Sequence, residues 1–153
     1  MPEYEGKIQK VLLVSGEDAF RTVLGAELEG EGYAVRTAST KAEALNMYKS
    51  DEPDLVLGDT HLSNMAEGDG FDLLKEIKEI NPKTSYIVIT GFAELKNALK
   101  SKKLGAEDFV SKPYDLIDLL TTMERVLYDA QLAKQEARQR AEQETVLGQI
   151  SQK

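Results

Sequence analysis

Three polar residues stand at the ends of apolar runs. Asp59 follows Leu55-Val56-Leu57-Gly58, Thr90 follows Tyr86-Ile87-Val88-Ile89, and Lys112 follows Asp108-Phe109-Val110-Ser111. A carboxylate, a hydroxyl and an ammonium are the parts needed to take a phosphoryl group and hold it. The carboxylate attacks phosphorus, while the ammonium and the hydroxyl stabilise the phosphoryl oxygens. The chemistry requires that one rim of the fold collect all three. Another apolar run, Val11-Leu12-Leu13-Val14, opens onto Ser15-Gly16-Glu17-Asp18, and its end belongs to the same question.

The elements that must position these residues follow from the hydrophobic pattern. Val11 to Val14 reads as a short buried strand. Phe20, Val23, Leu24 and Leu28 then recur at helical spacing, and Gly30 and Gly32 end that helix. Val35 to Ala38 is a short stretch suited to an edge strand. Thr40-x-x-Glu43 is a capping-box signature. The helix it opens carries Ala44, Leu45 and Tyr48 and must stop before Pro53. Leu73, Leu74, Ile77 and Ile80 mark a third helix, closed by Asn81-Pro82. Leu95, Ala98, Leu99 and Lys102 mark a fourth, with Gly105 as its stop. Leu116, Leu119, Leu120, Met123 and Leu127 mark a fifth.

Five strands alternating with five helices predict an α/β fold, (βα)5, with helices on both faces of a five-stranded parallel sheet. The expected strand order is the flavodoxin-like doubly wound one. Its ligands bind outside the carboxyl ends of the strands, at the switch point. Ser15, Gly16, Asp59, Thr90 and Lys112 all fall on that rim. The domain is expected over residues 1–127, with 128–153 a helical extension or linker. In that tail Glu136 and Arg140, Arg138 and Glu142, and Arg140 and Glu144 are opposite charges at i, i+4. Its apolar seam of Leu127, Ala130, Ala137 and Ala141 is interrupted by Lys134 and Glu144. A solvated helix therefore competes with a weak coiled-coil arm.

Composition bounds the function. The 153 residues are 41% hydrophobic, enough for a core. With no cysteine, disulfides and cysteine-based metal sites are excluded, which fits a reducing, cytoplasmic setting. No apolar run approaches the ~18 residues of a membrane span, and the N-terminus lacks the apolar segment of a secretory signal. A net charge of −8 argues against a nucleic-acid or anionic-membrane surface. The phosphate loop GxxxxGK[ST] and the dinucleotide fingerprint GxGxxG are absent, and no helix-turn-helix follows the domain. His61, the only histidine, sits in a polar loop with no catalytic or ligand partners in its spacing. Lys96, Lys100, Lys102 and Lys103 make the fourth helix basic, which reads as a solvated face or a surface for an acidic partner.

The pattern VLLV, Asp59, ITGFAE and GAEDFVSKP resembles the receiver domain of bacterial two-component response regulators over about Lys7 to Leu127. The resemblance implies Asp59 as acceptor of a phosphoryl group from a histidine-kinase phosphohistidine. It implies that Thr90 and Lys112 contact that group, and that the Lys112–Pro113 bond is often cis. Thr90 and Phe109 are implied as a switch pair, the hydroxyl moving toward the phosphoryl group and the aromatic turning inward. The implied partners are a histidine kinase or phosphotransfer protein, a following output domain, or a second copy in a homodimer. The face of the fourth helix, fifth strand and fifth helix is the usual output or dimer surface.

The departures from that family are equally informative. Ser15 and Gly16 stand where two acids usually hold Mg²⁺. Gly58 replaces an aliphatic residue before the acceptor, and a glycine weakens a buried strand. The loop Thr60 to Gly70 is longer than usual, and Leu62-Ser63 replaces the frequent Met-Pro. The family's pocket balances three carboxylates with a lysine and Mg²⁺, whereas Asp59 and Lys112 alone already balance. Each lost carboxylate–cation contact removes roughly 4 kcal/mol, taking unit charges at ~4 Å and an effective dielectric of ~20. No cofactor is therefore expected to bind tightly, and Mg²⁺ only weakly, through Glu17, Asp59 and the His61 carbonyl. Glu17 lies one residue past the usual pair and reaches the site through a water, or else points to solvent while Asp18 caps or opens the first helix.

The expectation is an atypical receiver in a phosphorelay, acting mainly through protein–protein interaction, with impaired Mg²⁺-dependent phosphorylation. The alternative is a conventional phospho-switch at Asp59. Neither is an enzyme beyond slow self-phosphorylation and self-dephosphorylation.

Overall fold

The computed structural model describes residues 3–4, 7–91 and 95–151. The elements in chain order are β1 (Glu3–Tyr4), β2 (Lys7–Ile8), β3 (Lys10–Val14), α1 (Asp18–Gly30), β4 (Ala34–Ala38), α2 (Lys41–Asp51) and β5 (Leu55–Asp59). A short 3-10 turn (Met65–Glu67) precedes α3 (Gly70–Ile80), β6 (Ser85–Thr90), α4 (Leu95–Lys103), β7 (Asp108–Ser111) and α5 (Leu116–Ser151). The antiparallel pair β1–β2 was not foreseen, because two-residue strands leave no period to read.

β3 to β7 form one parallel sheet in the order β4-β3-β5-β6-β7, the flavodoxin-like doubly wound order. Side-chain alternation along its strands separates two cores. Leu12, Val14, Val56, Tyr86 and Val88 face Ala44 and Tyr48 of α2 and Leu73, Leu74 and Ile77 of α3. Leu13, Leu55, Leu57, Ile87 and Ile89 face Leu24 and Leu28 of α1 and Leu119, Met123 and Val126 of α5. Because both faces are covered, the central strands read as continuous apolar runs rather than alternating ones.

The helix signals resolve individually. Thr40 caps α2, its Oγ1 accepting from the Glu43 N–H at 3.1 Å. Asp18 opens α1 but does not cap it. Glu17 holds the cap position without a side-chain cap bond, and Asp18 pairs instead with Arg21. Gly30 is the last residue of α1, and Gly32, at φ +98°, makes the turn. Gly105, at φ +100°, follows α4 as expected. α3 carries a capping box that the pattern did not disclose: Asp69 accepts from the Phe71 and Asp72 N–H groups, and Asp72 accepts from Asp69.

α5 is one continuous helix of 36 residues, about 54 Å long at ~1.5 Å per residue. Val126 and Leu127 are its last buried residues, and everything from Leu132 to Gln149 is exposed. The expected boundary after residue 127 thus falls inside a helix that continues without a break. Among the described residues no helix is long and apolar enough to cross a membrane.

Candidate functional site

Parallel register places the site. Val14 pairs with Gly58, Asp59 with Ile89, and Thr90 with Ser111. Ser15, Asp59, Thr90 and Lys112 therefore leave their strands at one level of the rim. Three of them are shut away from solvent: Asp59 is 1% exposed, and Ser15 and Thr90 are fully buried.

The polar contacts centre on Asp59. Its Oδ2 accepts from Ser15 Oγ at 2.7 Å and from Lys112 Nζ at 2.6 Å. Its Oδ1 accepts from the His61 N–H at 3.1 Å. Ser15 Oγ also accepts from the Glu17 N–H at 3.1 Å, so the serine is fixed from both sides. Lys112 donates a second time, to Glu17 Oε1 at 2.9 Å, and its Nζ lies 4.3 Å from the Phe20 ring centroid. Burial works against the charge on Lys112, but the bonds to Asp59 and Glu17 outweigh it and raise its pKa. The Glu17 carboxylate, though still exposed, is engaged by Lys112. It turns back across the rim onto Lys112, leaving two carboxylates around one ammonium.

Lys112–Pro113 is cis, as the resemblance implied. Thr90 accepts from Thr60 Oγ1 at 2.9 Å, a buried pair of hydroxyls. Phe109 is half-buried and packs against the core that contains Val88 and Tyr86. Residues 92–94, between Thr90 and α4, lie outside the described residues. On α4, Lys100 Nζ stands 4.4 Å from the Phe71 ring centroid, while Lys96, Lys102 and Lys103 are exposed.

The residues present do not fit Mg²⁺. A magnesium site needs hard oxygens free to complete an octahedron. Both Asp59 oxygens already accept hydrogen bonds, Glu17 is held by Lys112, and the His61 carbonyl accepts from the Gly16 N–H at 2.9 Å. Among the described residues no group of three or more His, Cys, Asp or Glu could hold a metal ion.

Two glycines explain departures that the sequence left open. A Cβ on Gly16 would lie 2.7 Å from Ser63 N and 2.8 Å from Leu62 C, so the β5–α3 loop crosses directly over it. A Cβ on Gly58 would lie 2.1 Å from the Tyr86 hydroxyl. Tyr86 is fully buried and leans along the sheet beneath the rim, its hydroxyl 3.4 Å from the Gly70 carbonyl. Burial, then the charges of Asp69 and Asp59, raise its pKa. Tyr86, Thr60 and Gly70 were all missed. A tyrosine in an aliphatic strand was the available signal, and only its packing in the fold brings the ring against Gly58, whose register partner is Val88.

Comparison with known proteins gives one family. The model of the response regulator receiver domain matches residues 11–124. The chain is 37% identical over 117 residues to the transcriptional regulatory protein ZraR of Escherichia coli, covering 76% of this chain and 26% of that protein. It is 31% identical over 119 residues to sporulation initiation phosphotransferase F of Bacillus subtilis, covering 78% of this chain and 94% of that one. A CheY-like receiver domain from Methanospirillum hungatei superposes with a TM-score of 0.77 at 28% identity, over 83% of this chain and 99% of that one. NtrX from Brucella abortus does so at 0.79 and 29%, over 86% of this chain and 29% of that one. The chain thus spans about a quarter of the ZraR relative's length.

Proposed function

Because the chain belongs to the response regulator receiver domain family, we propose that it is an atypical receiver, working in a phosphorelay mainly by protein–protein interaction, with Mg²⁺-dependent phosphorylation of Asp59 impaired. One observation carries the reading. Ser15, at an acid-pair position, donates at 2.7 Å to the same Asp59 oxygen that Lys112 holds at 2.6 Å. A hydroxyl and an ammonium thus occupy the carboxylate that a cation and a phosphoryl group would need, and the rest of the donor set is engaged as well. Asp59 is the phosphoacceptor-type residue, Thr90 and Lys112 are the phosphoryl-contacting groups, and Thr90 with Phe109 is the switch pair. The setting is cytoplasmic, and the partner is a histidine kinase, a phosphotransfer protein or a following output domain. The long exposed helix α5 leads away from the domain and supports an output role for residues 128–153.

A second reading, the conventional phospho-switch, draws on the Asp59, Thr90 and Lys112 rim being assembled in register. The two are separated by incubating the protein with Mg²⁺ and a small phosphodonor and comparing the intact masses of wild type and Asp59→Ala. The proposed reading expects little or no adduct. A near-stoichiometric adduct that disappears in Asp59→Ala would replace it with the second reading.

A further inference from the structure

The β5–α3 loop, residues 60–69, is fastened at both ends. At its start the His61 carbonyl accepts from the Gly16 N–H at 2.9 Å, and the Ser63 N–H donates to the Ser39 carbonyl at 2.7 Å. Between them Leu62 is only 5% exposed and belongs to the core between the sheet and α2–α3. At the far end Gly70 lies against Asp59 itself, where a Cβ would come within 2.0 Å of the Asp59 carbonyl oxygen. The loop also touches the buried Asp59 directly: Asp59 Oδ1 accepts from the His61 N–H at 3.1 Å, while Oδ2 accepts from the buried Ser15.

Glycine at position 16 makes the closure possible. The atoms that a Cβ would strike, Ser63 N and Leu62 C, are backbone and cannot step aside by changing rotamer. Any side chain at 16 must therefore lift the loop. The outer residues Asn64, Met65, Ala66 and Glu67 are exposed, so the loop has an accessible outer surface by which it can be displaced.

We infer that Gly16 is a specificity-determining residue: it seats the 60–69 loop as a lid over Asp59, so that the carboxylate is closed to small reagents in solution and opens only when the loop is displaced. The closed carboxylate matters because of the receiver reading above, on which this inference rests. The closure itself can be measured with a reagent indifferent to phosphoryl transfer.

The test labels carboxyl groups with a water-soluble carbodiimide and an amine, without metal, and reads Asp59 by peptide mass spectrometry against the exposed Asp129. Amide hydrogen exchange follows the loop and β6 in parallel. Two variants open the lid from different sides: Gly16→Ala pushes the loop up, and Leu62→Ala removes its apolar anchor while leaving Gly16 intact. The expected result in both is faster exchange over 60–69, unchanged protection in β6, and Asp59 labelling increased about tenfold or more, as for any local opening made easier. Unchanged Asp59 labelling in both variants overturns the inference, whatever the loop does. So does a rise matched by lost protection in β6, which would report unfolding rather than a lid. A wild-type protein that takes no phosphoryl group bears on the receiver reading alone and leaves this measurement unaffected.

Discussion

The phenol of Tyr86 occupies the space beside Gly58 that a side chain there would need, its hydroxyl 2.1 Å from where a Cβ would stand. Gly58 pairs with Val88 on β6, and Tyr86, two residues earlier on the same face, leans across to it. The glycine before Asp59 is one half of a packed pair, and the pair forms the floor of the rim.

Gly58→Ala is expected to destabilise the fold by about 1–3 kcal/mol through overpacking. Tyr86→Val alone leaves a cavity and costs about 3–5 kcal/mol. The double variant should cost less than the two single costs together, with a coupling of about 1–3 kcal/mol in its favour. Urea unfolding of the four proteins checks this, and additive losses would mean that the two positions are independent.

Ser15→Ala removes a donor from the buried Asp59 carboxylate and should cost about 1.5–3 kcal/mol, the range for hydrogen bonds to a charged group. Lys112→Met leaves that carboxylate without its counter-charge and should cost more, about 3–5 kcal/mol. Thermal unfolding at neutral pH gives the ranking. Equal losses would argue that Ser15 and Lys112 hold Asp59 interchangeably.

Restoring acids at the rim should not work symmetrically. Ser15→Asp places a second carboxylate beside Asp59 and is expected to raise Mg²⁺ affinity in a calorimetric titration. Adding Gly16→Asp should destabilise the protein, because its Cβ meets the Leu62–Ser63 backbone. A double variant as stable as Ser15→Asp would show that the loop yields freely.

Alkaline pH should loosen the α1–α5 corner. Burial, then the hydrogen bond to Glu27, raises the Tyr114 hydroxyl from 10.0 to about 12. The phenol is neutral in its favoured state, so its contribution is complete below ~10 and lost as pH rises through about 12. The raised Lys112 acts with the same sign. Stability against urea should therefore fall over this window, and Tyr114→Phe should flatten the part of the fall that Tyr114 causes. An unchanged slope would assign the fall to other groups.

Deleting residues 132–153 should leave domain stability within about 0.5 kcal/mol, since the described residues removed make no buried contact. Far-ultraviolet circular dichroism should lose helix while the urea midpoint holds. A lower midpoint would mean that the extension packs on the domain or on a second copy.

The sequence by itself determined the sheet, its helices and the membership of the rim. Those features depend on local periodicity and on the alternation of strands and helices, both of which are written along the chain. Asp59, Thr90 and Lys112 were legible because a parallel sheet delivers strand ends to one edge. What only the tertiary structure decided lies across that edge. Whether Glu17 faces solvent or Lys112, whether the His61 carbonyl is free, and why positions 16 and 58 are glycines depend on atoms far apart in sequence. Ser15 and Asp59 are 44 residues apart, and Glu17 and Lys112 are 95 apart. Glycine carries no side chain whose chemistry announces a role, and its meaning at 16 and 58 is the backbone or ring that comes close to it. The missing acid pair could be read from the sequence, but the loop that closes over it could be seen only in the folded chain.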